Sequence, residues 1–246
     1  MILQMDLGNT RLKWALALPD QLVERGELAP EAIESGLRSL PWPAIEAVQL
    51  VSVADPMLTA AIKVSCDSFS SPSTEVLEVD LARLPEGFGL GETVASQIGA
   101  DRVMAMLGAR SPNAPNGGYM VIDAGSALTV DYVASGQHQG GYIVPGLGLS
   151  REVLGQKTAR IGQVAPTLYS ALLEPGRVTQ RAVEHGIRRQ LVAFCQSAVQ
   201  DAPCPIERVV LTGGDAEWLA GHLAGLIEGE PDLVFQGLAR FFTPLS

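Results

Sequence analysis

The sequence predicts a mixed α/β fold whose two halves are laid out on one plan. Three observations carry that prediction. An apolar run at Ile2 to Asp6 ends in the turn Gly8-Asn9-Thr10 and returns through a second apolar run, Leu12 to Leu18. The same order restarts at Tyr119 to Asp123, with a turn at Gly125-Ser126 and a return run from Leu128 to Val133. Between and after these pairs, strand-like runs are interleaved with helix-like stretches, as in layered α/β lobes. The interval between the two copies is too long for a solenoid repeat.

The remaining elements follow in order. A helical stretch at Glu31 to Leu40 precedes a strand at Ala47 to Val53, a helix at Pro56 to Ser65 and a strand at Thr74 to Val79. The Gly-rich connection Glu86 to Gly91 leads into a helix expected over Thr93 to Arg110. Ser111 to Gly118 is rich in Pro, Asn and Gly and marks the expected lobe boundary. It divides the chain into an N-terminal lobe over 1–112 and a C-terminal lobe over 117–246, with a cleft between them. In the second half a turn at Ser135 to Gln139 leads into Gly140 to Gly146. A long helix runs from Thr179 to Gln200, and a strand at Arg208 to Thr212 ends at Gly213-Gly214 before a helix from Ala216 to Leu226. The long helix carries Val183, Ile187, Leu191, Phe194 and Ala198 as one apolar stripe, which the other lobe or a second subunit must cover.

Composition narrows the function classes. The chain has 246 residues, 47% hydrophobic and 18% charged, so it can bury a substantial core. A net charge of -10 argues against a nucleic-acid partner, because phosphate backbones are held by surplus Lys and Arg. Any anionic substrate must then be held by local features. Cys66, Cys195 and Cys204 have neither metal-ligand spacing nor the density of a disulfide framework, and they read as reduced thiols. There is no basic leader and no apolar run of bilayer length, so a soluble, cytoplasmic protein without a membrane partner is expected. His138, His185 and His222 are scattered and read as structural or surface residues. Trp14, Trp42 and Trp218 read as core or interface anchors.

The turns carry the chemistry. Neither GxxxxGK[ST] nor GxGxxG follows the first strand, so the Walker and Rossmann phosphate loops are absent. A tight strand-to-strand turn can instead present backbone N–H groups as an anion nest. Asp6 and Asp123 at the strand ends could then face a nucleotide-bound cation, since hard cations take oxygen ligands. One Asp-x-Gly turn is equally an ordinary turn. Two in equivalent settings, followed by Gly213-Gly214 after a later strand, resemble the two phosphate loops and the adenosine loop of the actin-like ATPase and kinase superfamily. Asp101 in Gly99-Ala100-Asp101-Arg102 would share a helix face with Val94, Ile98, Ala105 and Gly108, as a structural ion-pair partner or as a functional carboxylate.

Taken together, Asp6 to Thr10, Gly99 to Arg102, Asp123 to Asp131, Gly140 to Gly146 and Thr212 to Gly214 resemble the type III pantothenate kinase family, in the family order and over nearly the whole chain. That family also includes Bvg accessory factors. The resemblance implies two duplicated actin-like (ribonuclease H-like) lobes with an ATP cleft, and transfer of phosphate from ATP to pantothenate at the start of coenzyme A biosynthesis. It implies that Asp6, Leu7, Gly8, Asn9, Thr10, Arg11, Leu12 and Lys13 form the first ATP loop, with Ser126 as an ATP contact where the family commonly has Thr. Gly99, Ala100, Asp101, Arg102 and Thr179 would bind pantothenate, with Asp101 as the proton acceptor. Asp123 would hold a monovalent cation, K⁺ or NH₄⁺, and Mg²⁺ would lie near Asp6 on the phosphates. A homodimer with the substrate site near its interface is also implied. One departure is that some members place a tyrosine shortly before the Gly-Ala-Asp-Arg segment, where this chain has Glu92 and no tyrosine between Lys63 and Asn113. The alternative function is a nucleotide-binding regulatory protein with little kinase activity.

Overall fold

A computed structural model describes residues 1–19, 21–111, 113, 117–158, 161, 174–223 and 227–242. In chain order the elements begin with β1 (Ile2–Leu7), β2 (Leu12–Leu18), β3 (Gln21–Leu28), α1 (Ile33–Arg38), β4 (Ala47–Ser52), α2 (Pro56–Phe69), β5 (Glu75–Glu78) and α3 (Ala100–Ala109). They continue with β6 (Tyr119–Ala124), β7 (Ala127–Ala134), β8 (Gln137–Pro145), α4 (Leu147–Lys157), α5 (Thr179–Gln200), β9 (Arg208–Thr212), α6 (Ala216–Ala220), β10 (Ile227–Gly229) and α7 (Leu233–Phe242).

The chain forms two compact units. The first comprises Met1–Gly89, Thr93–Arg110 and Asp232–Ser246, and the second Leu90–Glu92 and Ser111–Pro231. Each contains one five-stranded sheet, in the orders β3-β2-β1-β4-β5 and β8-β7-β6-β9-β10. The two orders are the same plan. In each, the central strand pairs antiparallel with the strand that follows it and parallel with a later one. The duplication read from the sequence is therefore a duplication of sheet topology.

In the first unit the period of two sorts the side chains. Leu3, Met5 and Leu7 of β1 and Val48 and Leu50 of β4 share a core with Ile33 and Leu37 of α1 and Ile62 and Cys66 of α2. Gln4 and Asp6 take the other face, where Gln4 Nε2 donates to the carbonyl of Phe235 in α7 at 3.2 Å and to Gln49 Oε1 at 2.9 Å. α2 starts cleanly because Pro56 occupies its first turn and the Asp55 carboxylate accepts from Met57 N at 2.7 Å.

The last helix departs from the expected division at 112–117. α7 packs against α3 in the first unit, because two glycines let the backbones touch. A Cβ at Gly108 would lie 2.0 Å from the Leu233 carbonyl oxygen, and one at Gly237 would lie 1.9 Å from that of Met104. Arg240 Nη1 then donates to the carbonyls of Leu107, Gly108 and Arg110, satisfying the C-terminal end of α3.

The second unit buries Met120, Ile122 and Ala124 of β6 and Leu128, Val130 and Tyr132 of β7 against α5 and α6. Ile187, Leu191 and Ala198 are buried in this core, and Val183 and Phe194 pack on it. The α5 stripe is thus covered by its own sheet and needs no second subunit. Exposed apolar residues lie elsewhere, at Tyr142 and Ile143 on the edge strand β8 and at Leu149 and Val153 on α4. β8 runs through Gly140 and Gly141, joined to β7 by a two-residue turn with Ser135 and Gly136 both at positive φ. α6 ends at Ala220, earlier than expected, and 224–226 lie outside the described residues.

The three histidines are structural. His138 Nε2 and Asp131 Oδ1 are 2.9 Å apart and buried, while His185 Nδ1 meets the Glu174 carbonyl and His222 Nδ1 that of Trp218. Trp42 is buried, its indole donating to the Leu37 carbonyl at 2.7 Å. Burial pushes the thiols of Cys66 and Cys195 up to about 12, so both stay protonated.

Gly237→Ala tests the α3–α7 approach. The added methyl must force the helices apart, and the unfolding free energy is expected to fall by about 1–3 kcal/mol, read as a lower urea midpoint. An unchanged midpoint would show that the close approach is dispensable.

Candidate active site

Each unit gathers its predicted residues at the carboxyl end of its central strand. In the first, β1 ends at Leu7 and β2 begins at Leu12, with Asp6 opposite Lys13 and Leu7 opposite Leu12. Gly8 N donates to the Arg11 carbonyl at 3.1 Å, leaving Asn9 and Thr10 exposed at the tip. The parallel neighbour β4 ends alongside, and Val53 N donates to the Leu7 carbonyl at 3.0 Å.

α3 reaches the same sheet end. Register puts Asp6 beside Val51, on the sheet face that also carries Gln4 and Gln49, and Val53 continues that face. Val53 Cγ1 lies 3.5 Å from where a Gly99 Cβ would stand. α3 therefore begins over the carboxyl end of β4, with Ala100, Asp101 and Arg102 on its first turn.

This corrects the helix expected from Thr93. A 3-10 turn occupies Ala95–Gln97, and Ile98 (ψ 137°) and Gly99 (ψ 130°) are extended. Val94 and Ile98 therefore share no helix face with Asp101. The change moves Asp101 from mid-helix to the first turn, where its carboxylate meets backbone donors and the positive end of the helix dipole. Asp101 Oδ1 accepts from Arg102 N at 2.8 Å.

The second unit repeats the plan with a shorter turn. Asp123 pairs across with Thr129 and Ala124 with Leu128, and Gly125 N donates to the Ala127 carbonyl at 3.1 Å. β9 ends alongside, and Asp215 N donates to the Ala124 carbonyl at 3.0 Å, as Val53 does to Leu7. Gly213 between them is required twice over. Its φ is +96°, and a Cβ there would lie 2.5 Å from both Asp123 Oδ1 and the Ala124 carbonyl carbon. Gly146 N donates to the Ser126 carbonyl at 3.0 Å, so the turn is held from two sides. Ser126 is exposed at the tip, and Thr179 is exposed on the first turn of α5.

Sequence reasoning passed over a buried charge cluster behind this turn. Glu184 of α5 is 1% exposed and accepts from Arg151 Nη2 of α4 at 2.7 Å and from Arg188 Nε at 2.7 Å. Burial alone would push Glu184 up, but the hydrogen bonds and charges of the two arginines outweigh it and hold the carboxyl below its ordinary value. The Arg188 guanidinium lies 4.7 Å from the Trp218 ring centroid. The signal available was the i,i+4 spacing of Glu184 and Arg188, which usually marks a solvated pair.

Among the described residues, no three His, Cys, Asp or Glu side chains gather as a metal cluster, and no helix is long and apolar enough to cross a membrane. In the first unit a strand-end carboxylate, a glycine turn and a carboxylate on a helix first turn suit phosphate binding and proton removal from an acceptor, and in the second a strand-end carboxylate and a glycine turn suit phosphate binding.

Comparison with known proteins agrees with that chemistry. The type III pantothenate kinase family model matches residues 2–201. A type III pantothenate kinase from Marinobacter nauticus is 35% identical over 245 residues, covering 98% of this chain and 97% of the relative. Among solved structures, a Baf family protein from Campylobacter jejuni superposes with a TM-score of 0.66 at 20% identity, covering 98% of this chain and 96% of its own. A Sinorhizobium meliloti protein described as a 2-dehydro-3-deoxygalactonokinase gives a TM-score of 0.57 at 13% identity, with both chains fully covered. The last two share the fold of this chain. The chain belongs to the type III pantothenate kinase family.

Proposed function

We propose that this chain transfers the γ-phosphoryl group of ATP to the primary hydroxyl of pantothenate, giving 4'-phosphopantothenate for coenzyme A synthesis. The observation that carries the reading is the family match over 2–201, within which all these motifs except Gly213-Gly214 fall. Phosphoryl transfer depends on positioning and charge neutralisation more than on covalent chemistry by the protein.

In this reading Asp6 to Lys13 and Ser126 hold the ATP phosphates, using backbone N–H groups and the Lys13 ammonium. Gly99, Ala100, Arg102 and Thr179 hold pantothenate, with Arg102 suited to its carboxylate. Asp101 accepts the hydroxyl proton as the oxygen attacks phosphorus. A single strand-end carboxylate, a hard oxygen donor, fits Mg²⁺ carried mainly by phosphate oxygens beside Asp6, and a monovalent cation at Asp123. Bound there, these ions supply positive charge against the triphosphate.

The decisive assay is coupled ADP release with a panel of small alcohols. Release with pantothenate alone supports the reading, whereas nucleotide binding without release for any alcohol would favour the regulatory alternative. Asp101→Asn is expected to lower turnover about 10²–10⁴-fold in a folded protein, because it keeps size and removes the base. Near-normal turnover would place the base elsewhere.

Replacing K⁺ with a large organic cation at constant ionic strength is expected to lower activity. A bare Asp123 carboxylate near the phosphates repels them, and a bound cation reverses that. Unchanged kinetics would remove Asp123 from this role.

We also propose a homodimer, now resting on the exposed apolar residues Tyr142, Ile143, Leu149 and Val153 rather than on the α5 stripe. Mixing Asp101→Asn subunits with Thr179→Ala subunits is expected to restore part of the activity if sites are shared across the two-fold axis. A fully active monomer by light scattering would end the proposal.

A further inference from the structure

The Arg151–Glu184–Arg188 cluster is made of residues other than those assigned above, and its two arms end on the same turn. One arm is α4, which carries Arg151 and starts just after Gly146, whose N–H is bonded to the Ser126 carbonyl. The other is Asp215, which follows Gly213-Gly214 and whose N–H is bonded to the Ala124 carbonyl. Asp215 opens α6, and the Arg188 guanidinium lies 4.7 Å from the ring centroid of Trp218 on that helix, so the cluster grips the helix that Asp215 begins. Two guanidinium groups against Glu184 leave one positive charge, which the Trp218 face meets.

The chain therefore closes a ring: from the turn through Gly146 and α4 to Arg151, across Glu184 to Arg188, through the Trp218 face to α6 and Asp215, and back to Ala124. Buried ion pairs of this kind add little net stability over apolar packing of the same volume. They do impose one geometry, since each partner left unmatched is costly. The Trp218 face beneath Arg188 adds a second restraint on α6, which follows Asp215 directly.

We infer that Glu184, Arg151 and Arg188 are positioning residues that, through Trp218 and α6, fix the Gly213-Gly214 loop against the Asp123–Ser126 turn and thereby set nucleotide affinity. This rests on the assignment of that turn to ATP. The larger effect falls on nucleotide, because both arms of the cluster end at the turn, while its link to the acceptor is the shared helix α5, whose first turn carries Thr179.

Glu184→Gln in the full chain tests it. Binding of a non-hydrolysable ATP analogue is expected to weaken about 10- to 100-fold, with KM for ATP rising in step and KM for pantothenate within about twofold. Backbone amides over 213–216 should exchange faster in the ligand-free variant. Should Glu184→Gln fail to fold, Trp218→Leu, which removes the face that Arg188 lies on, carries the same expectations. A triple change, Arg151→Met, Glu184→Leu and Arg188→Met, should recover thermal stability without recovering nucleotide affinity. A folded Glu184→Gln or Trp218→Leu protein with wild-type analogue affinity overturns the inference, and so does recovery of affinity together with stability in the triple variant. Exchange and analogue binding are read without acceptor, so failure of the wild-type protein to phosphorylate pantothenate would be a separate result.

Discussion

Two backbone carbonyls, those of Leu7 and Ala124, organise the ends of both sheets. Each closes a central strand, and each accepts a hydrogen bond from the chain leaving the parallel neighbour, Val53 N in one unit and Asp215 N in the other. With the antiparallel partner fixed on the opposite side, the strand-end carboxylates Asp6 and Asp123 are held beside a turn on one side and a departing chain on the other. A carboxylate in that setting is placed by the whole sheet, not by its own rotamer preference. The two strand-end carboxylates of the proposed chemistry are positioned from these two points.

The two units use this plan differently. The first has a four-residue connection from Gly8 to Arg11 and uses the chain beyond β4 to meet α3, which brings the Asp101 turn to the sheet end. The second has only Gly125 and Ser126 between its strands, and it uses the chain beyond β9 to press Gly213 onto Asp123. In an acidic chain, local donors must outweigh the global field for ATP and a carboxylate substrate to bind. In the proposed reading, Lys13 opposite Asp6 and Arg102 on the first turn of α3 are such local donors.

Much of this was legible in the sequence because it is short-range. A strand, a glycine turn and a return strand fit within a dozen residues, and their recurrence at Tyr119 exposed the duplication. What was missed depends on distant partners. The start of α3 is set by Ile98 and Gly99 staying extended where Gly99 meets Val53, and nothing between Thr93 and Ile98 signals that. The return of α7 to the first unit depends on Gly108 and Gly237, which are far apart in sequence and only together permit backbone contact. The α5 stripe was visible, but its cover was not, since a stripe records that it is buried and not by what. Glu184 was invisible for a related reason: its burial comes from α4, which apolar periodicity did not reveal.

Where the phosphate goes separates a pantothenate kinase from a nucleotide-binding protein, and phosphorus NMR of the products of ATP and pantothenate reads that directly. A phosphate monoester on the primary hydroxyl of pantothenate, appearing in step with ADP, is the predicted result. ADP with inorganic phosphate alone, or no change in ATP, would contradict it.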